Sequence, residues 1–197
     1  MLDSARMELA RRQATYEDLF DLPEHVTGQI IDGELYTSPR PAGDHTVVAS
    51  SLGMDLGNPF MRGRGGPGGW WIVDEPELHL RRDILVPDLA GWRRERLPQY
   101  PSGPFVTLAP DWVCEVLSPS TARLDRDQKR AVYAREGVQH LWLVDPQGCT
   151  IEIFGLRDGA WVHLGTHGGD DHARMPPFEA VELALGALWL VSPPATP

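Results

Sequence analysis

Asp88, Glu115 and Lys129 are the three residues of this chain whose types and settings could do chemistry together. Asp88 follows Pro87 in an apolar run from Ile84 to Trp92 that reads as a strand. Glu115 lies inside a second one, Trp112-Val-Cys-Glu-Val-Leu117. Burying a carboxylate is costly unless something compensates it, and here two stand in separate strands. A shared divalent cation is one compensation, because carboxylate oxygens are hard ligands suited to Mg²⁺, with water and a substrate phosphate completing its shell. Two structural carboxylates capping turns or pairing with arginines are the other. Lys129 is the sole lysine among 18 basic residues. A bare surface charge has no need of one particular cation. A compact ammonium with rotatable donors does what a planar guanidinium cannot, which suits a site that must hold a water or a developing negative charge.

The elements that must position these groups are short. Gln29 to Leu35 reads as a hairpin about Asp32-Gly33. Asp44 is placed to cap a helix to about Leu56, with Val47, Val48, Leu52 and Leu56 as its apolar stripe. Arg62 to Gly69 is a glycine-rich connection without the Lys-Ser/Thr ending of a phosphate-binding loop. Trp70–Val73, Glu77–Leu80 and Ile84–Trp92 follow as strands, then a proline-rich loop and the Glu115 strand. Asp125 with Gln128 forms a capping-box-like start to a surface helix that ends at Gly137, and Lys129 falls on its first turn. Gln139–Val144, Cys149–Phe154 and Ala160–Leu164 complete the strands. Residues 1–20 read as a polar helical extension, and 21–192 as one domain.

Composition narrows the class. The chain has 197 residues, 42 % of them hydrophobic, and a net charge of −10. That acidity argues against tight non-specific nucleic-acid binding, though not against a local basic patch. No stretch approaches a membrane span. Cys114 and Cys149 form no metal or redox pair and read as buried free thiols of a cytoplasmic protein. The spacing of His163, His167 and His172 fits no zinc pattern. Glu75 or Glu77 could complete a metal shell, and His45 could face the site. Gly-x-Ser-x-Gly is absent.

The runs Val86-Pro-Asp-Leu-Ala90, Pro110 to Thr121, Asp125-x-x-x-Lys129-x-x-x-Tyr133, Gly137-Val138 and Leu141 to Pro146 together resemble the Uma-two family of restriction-endonuclease-like proteins. Ile31-Asp-Gly-Glu-Leu35, Ser38-Pro39 and His45 add to the likeness. That family is a branch of the PD-(D/E)xK nuclease superfamily, and the resemblance spans about residues 16–190. It implies an α/β (α+β) fold with a mixed β-sheet core flanked by helices. The superfamily lysine usually follows the glutamate by two residues, where this chain has Leu117, so the resemblance implies a lysine relocated to the helix as Lys129. Gln29 stands where relatives often carry glutamate and receives no catalytic role. The implied activity is phosphodiester hydrolysis in DNA. Asp88, Glu115 and the Val116 carbonyl would hold Mg²⁺ (or Mn²⁺), and Lys129 would orient water or offset charge. Arg93, Arg94, Arg96, Arg126 and Arg130 are the candidate DNA-backbone contacts, with Arg123 beside them. The protein is expected to act as a homodimer, with an unidentified partner as a source of specificity. A catalytically silent DNA-binding or protein-interaction domain on the same fold is the alternative.

Overall fold

Asp32 and Gly33 dictate the first regular element. Both take left-handed backbone angles, φ 51 and 81, as a two-residue hairpin turn of the primed type requires. They join β1 (Val26–Ile31) to β2 (Glu34–Pro39), with Ile31 opposite Glu34. The computed structural model describes residues 13–40 and 43–190. Most of the expected helical extension lies outside them, and its described part holds only α1 (Glu17–Phe20).

β4 (Leu78–Leu80) and β5 (Asp83–Leu85) extend the hairpin into a four-stranded sheet of order β2-β1-β5-β4. The larger sheet is built from β3 (Trp70–Asp74), β6 (Leu89–Arg93), β7 (Trp112–Val116), β8 (His140–Asp145), β9 (Thr150–Arg157) and β10 (Ala160–Gly168). Its order is β10-β9-β8-β7-β6-β3. Only β7 and β8 run parallel, so the sheet is mixed. A parallel pair needs a crossover, and the helical segment from Ala122 to Arg135 supplies it. The fold is the expected mixed sheet flanked by helices.

The expected strand from Ile84 to Trp92 is in fact two. β5 ends at Leu85 and β6 begins at Leu89; Val86-Pro87-Asp88 carries the chain from the small sheet to the large one. Pro87 has no N–H to give a ladder. Val86 turns its own N–H away from strand pairing to the side-chain oxygen of buried Gln29, at 3.0 Å. Asp88 therefore stands at a crossing between sheets, not in mid-strand.

Every residue of β7 is buried. Its alternation assigns Trp112, Cys114 and Val116 to one core, shared with Val48, Leu52 and Phe178. Val113 and Leu117 belong to the other, shared with Tyr133 and Leu141. Period-two geometry places Glu115 on this second face. The first core's helix, α2 (Asp44–Leu56), buries His45, Val48, Leu52 and Leu56. Val47, expected in that stripe, is 39 % exposed.

The crossover helix begins earlier than expected. α3 (Ala122–Leu124), a π turn (Asp125–Lys129) and α4 (Arg130–Arg135) follow one another without a break. Asp125 lies inside this helix and caps nothing; the cap position is Thr121, which makes no side-chain cap bond. The far end is as expected. Gly137 has φ 78; its N–H reaches the Ala134 carbonyl at 3.1 Å, and the Val138 N–H reaches Tyr133 at 2.9 Å. These are the paired bonds of a Schellman stop. No helix among the described residues is long and apolar enough to cross a membrane.

Gln29→Leu would keep the volume but leave the Val86 N–H unpaired at the crossing. It should cost about 1–3 kcal/mol, read as a lowered urea midpoint with an unchanged m-value. An unchanged midpoint would mean that the crossing does not rely on this bond.

Candidate active site

The crossing, β7, the start of α2 and the π turn converge on one cavity of about 250 Å³. Asp88, Glu115, Lys129, Asp125, His45 and Gln29 all line it. The three residues singled out from the sequence are thus brought together.

Lys129 is not on a surface helix. It is 3 % exposed and Glu115 is 1 % exposed. The Lys129 Nζ donates to Glu115 Oε2 at 2.7 Å and lies 3.1 Å from Asp125 Oδ1. The Val86 carbonyl stands 3.4 Å away. Tyr133 OH donates to the other Glu115 oxygen at 2.5 Å. Asp88 Oδ2 accepts the N–H of Val116 at 2.6 Å, which ties the crossing to the end of β7. Asp88 Oδ1 lies 3.3 Å from His45 Nε2. Among the described residues, no hydrogen-bond partner reaches the buried His45 Nδ1.

Two carboxylates thus contact one ammonium, and the charge of a third, Asp88, acts on it from across the cavity. Burial, then the charges of Asp125 and Asp88, push the Glu115 pKa up to about 8, against the opposing pull of Lys129. Burial disfavours the charged form of Lys129, but Glu115, Asp125 and Asp88 outweigh it and raise its pKa, so it remains an ammonium. Burial likewise lowers the pKa of His45, and the hydrogen bond and charge of Asp88 more than reverse this. Burial and Glu115 keep the Tyr133 phenol protonated. Below about pH 8 Glu115 keeps its proton, and a cation that displaced it would restore the carboxylate.

The donor chemistry suits a hard divalent ion. Asp88 and Glu115 offer carboxylate oxygens to the cavity; the Val116 carbonyl, expected beside them, belongs to a residue that does not line it. Among the described residues no group of three or more His, Cys, Asp or Glu side chains is arranged to hold a metal. An ion here would draw the rest of its shell from water and substrate. Glu75 also lines the cavity, whereas Glu77 pairs with His79 at 2.6 Å.

Three residues at the site escaped the sequence reading as functional groups. Asp125 passed for a helix cap, Tyr133 was one letter of a pattern, and Gln29 was set aside. The signal for the first two was present. Asp125, Lys129 and Tyr133 are spaced i, i+4, i+8, which sets them along one helix stripe.

The arginines expected to contact DNA are elsewhere. β6 starts beside Asp88 and ends at Arg93, so Arg93 lies about 16 Å away along the strand, with Arg94 and Arg96 past its end. Arg126 pairs with Glu152 at 2.5 Å, and Arg130 stacks over Phe154 at 4.3 Å. None of the five lines the cavity; Arg40 does.

A mixed sheet that delivers an aspartate, a glutamate and a lysine to one cavity defines a restriction-endonuclease-like protein. The chain belongs to the Uma2 family: the family model described as "Uma2: Putative restriction endonuclease" matches residues 15–186. The crystal structure of "a putative nuclease belonging to DUF820" from Anabaena variabilis is similar, with a TM-score of 0.67. It covers 89 % of this chain and 97 % of that one at 22 % identity, a likeness of fold. No curated protein matches the chain.

The raised Glu115 pKa sets a pH dependence. Between the ordinary value of 4.5 and about 8 the folded chain keeps a proton that the unfolded chain has released. Metal-free protein should therefore lose stability as pH rises through that window. Glu115→Gln should flatten the slope in urea denaturation at pH 5.5 and 8.0. An equal slope in both proteins would assign it to other groups.

Proposed function

We propose that this protein is a divalent-metal-dependent nuclease that hydrolyses phosphodiester bonds in DNA. The observation that carries this reading is the buried Lys129, fixed between Glu115 and Asp125 at the cavity wall. Asp88 and Glu115 would hold Mg²⁺ or Mn²⁺. Such an ion, when bound, polarises the phosphate and lowers the pKa of a bound water.

The chain's own residues account for the rest. Lys129 presents a permanent positive charge toward the cavity, where it stabilises negative charge that develops on the phosphate oxygens. Asp125 holds that ammonium in place from one side. Tyr133 holds Glu115 from the other, fixing its rotamer before substrate arrives. His45 does the same for Asp88. At the mouth of the cavity Ser118, Ser120 and Thr121 supply hydroxyls, joined through Ser118 at 2.9 and 3.0 Å. Their rotatable O–H groups can turn to a phosphate oxygen.

A catalytically silent domain of the same fold is the second reading. It is favoured by the protein donors that already engage both oxygens of Glu115 and both of Asp88.

Cleavage of supercoiled plasmid and single-stranded DNA with Mg²⁺ or Mn²⁺ tests the proposal. Asp88→Asn should lower the rate by about 10²–10³ or more, the scale for removing one electrostatic element of a site. Lys129→Arg keeps the charge but must fit a buried slot, so its metal-free melting temperature must be measured alongside. A folded Lys129→Arg protein that no longer cuts supports the assignment. Full cutting by a folded Lys129→Arg protein would remove Lys129 from the chemistry. Absence of metal-dependent cutting by the wild type on every substrate would favour the silent domain.

A further inference from the structure

The glycine-rich connection between the first core helix and β3 is not the loose linker that its composition suggests. The Arg64 N–H bonds the Asn58 carbonyl at 2.9 Å, and the Gly68 N–H bonds Pro59 at 2.9 Å. Gly66 lies so close to Pro59 that an added Cβ would come within 2.4 Å of the proline Cβ. The Arg94 N–H bonds Gly69 at 2.9 Å, and its guanidinium bonds the Met61 carbonyl at 3.0 Å. The loop that bears Arg62 and Arg64 is thereby pinned against the end of β6 that bears Arg93 and Arg94.

This end of the molecule departs from the chain's charge balance. With 28 acidic against 18 basic residues, an arginine here has carboxylates to choose from. Arg81, Arg82, Arg96, Arg123, Arg126 and Arg135 each make an ion pair. Eight arginines make none among the described residues, and four of these, Arg62, Arg64, Arg93 and Arg94, are exposed and lie on the two segments packed together here. The Arg93 guanidinium lies over Trp70 at 4.5 Å and that of Arg94 over Trp71 at 4.1 Å. Of the carboxylates at this end, Asp111 pairs with Arg96 at 2.9 Å and accepts the Arg93 N–H at 2.8 Å, and Glu95 is exposed beside Arg94.

We infer that Arg62, Arg64 and Arg93 form an auxiliary anchor for the phosphate backbone of a nucleic acid, outside the catalytic cavity. This rests on the nuclease reading for the identity of the polyanion. The anchor lies about 16 Å along β6 from Asp88. At about 3.4 Å per nucleotide along a duplex strand, it engages phosphates roughly five nucleotides from the bond that is cut. It adds affinity without base readout, since phosphate contacts carry no sequence information. An acidic protein thus gains a grip on a polyanion without a basic active site.

The test is the triple variant Arg62→Gln/Arg64→Gln/Arg93→Gln, with Arg94 kept because it braces the backbone. Binding of a long DNA oligonucleotide is measured by fluorescence anisotropy across a salt series, in Ca²⁺ to limit cutting. The variant should bind about tenfold more weakly, and its salt slope should shrink by about 2–3, as expected for three lost phosphate contacts. In Mg²⁺ or Mn²⁺ its KM for long substrate should rise with kcat unchanged, and an oligonucleotide of about six nucleotides should be cut equally by both proteins. An unchanged slope and affinity overturn the anchor and leave the nuclease reading intact. Wild type that cuts nothing, while binding still depends on the three arginines, would overturn the nuclease reading and retain the anchor.

Discussion

Everything at this site depends on one buried ammonium among three carboxylates. Moving such charges out of water costs several kcal/mol per ion even after the protein relaxes. The attraction between Lys129 and its two partners offsets this only because its hydrogen bonds are short and well directed. The arrangement also explains why the residue is lysine. One compact ammonium bonds Glu115, faces Asp125 and leaves a third proton toward the Val86 carbonyl. A planar guanidinium presents its donors in a fixed fork and would not satisfy that set from within a fully packed helix stripe. Burial and the charges of Asp125 and Asp88 make Glu115 hold its proton, and a cation that displaced that proton would complete the proposed metal site.

The fold serves this cluster through two irregularities. The first is the Val86–Asp88 crossing, where the chain leaves one sheet for the other and frees a carboxylate from strand pairing. Gln29 closes the crossing from below and the Val116 N–H closes it from above. The second is the π turn at Asp125–Lys129. Single π turns inside α-helices recur at functional sites; this one carries both Lys129 and the aspartate that faces it. Around these two features the strands are ordinary. β7 is buried on both faces, as a strand central to a covered sheet must be, and its rigidity fixes Glu115.

Much of this was legible in the sequence, for physical reasons that differ from residue to residue. Asp32-Gly33 announces its hairpin because few other pairs tolerate two positive φ angles. Gly137 announces the helix stop for the same reason. Asp88 and Glu115 stand out because a charge in an apolar run demands a partner. Lys129 stands out because the chain otherwise uses arginine. What stayed hidden needed the third dimension. Asp125 is a good cap by type, and only the earlier start of the helix turns it inward onto Lys129. Pro87 was read within a strand, yet a residue without an N–H is better placed between sheets. The arginines near Asp88 in sequence were expected near it in space, but an extended strand separates its two ends by its whole length.

That last point separates two roles that the sequence merges. Basic residues adjacent to a metal-binding carboxylate would lower its affinity for the metal, because like charges compete for the same field. The chain holds one ammonium at the cavity and saturates it with carboxylates. Arg93 and Arg94 stand at the other end of β6, over the rings of Trp70 and Trp71. On the proposed reading, the phosphate anchor at Arg93 and the cation at Asp88 would stand a strand's length apart, farther than the roughly 8–10 Å over which exposed charges interact in physiological salt, with Arg40 the one guanidinium among the cavity's described lining residues. β6, paired to the β7 strand that carries Glu115, fixes that distance.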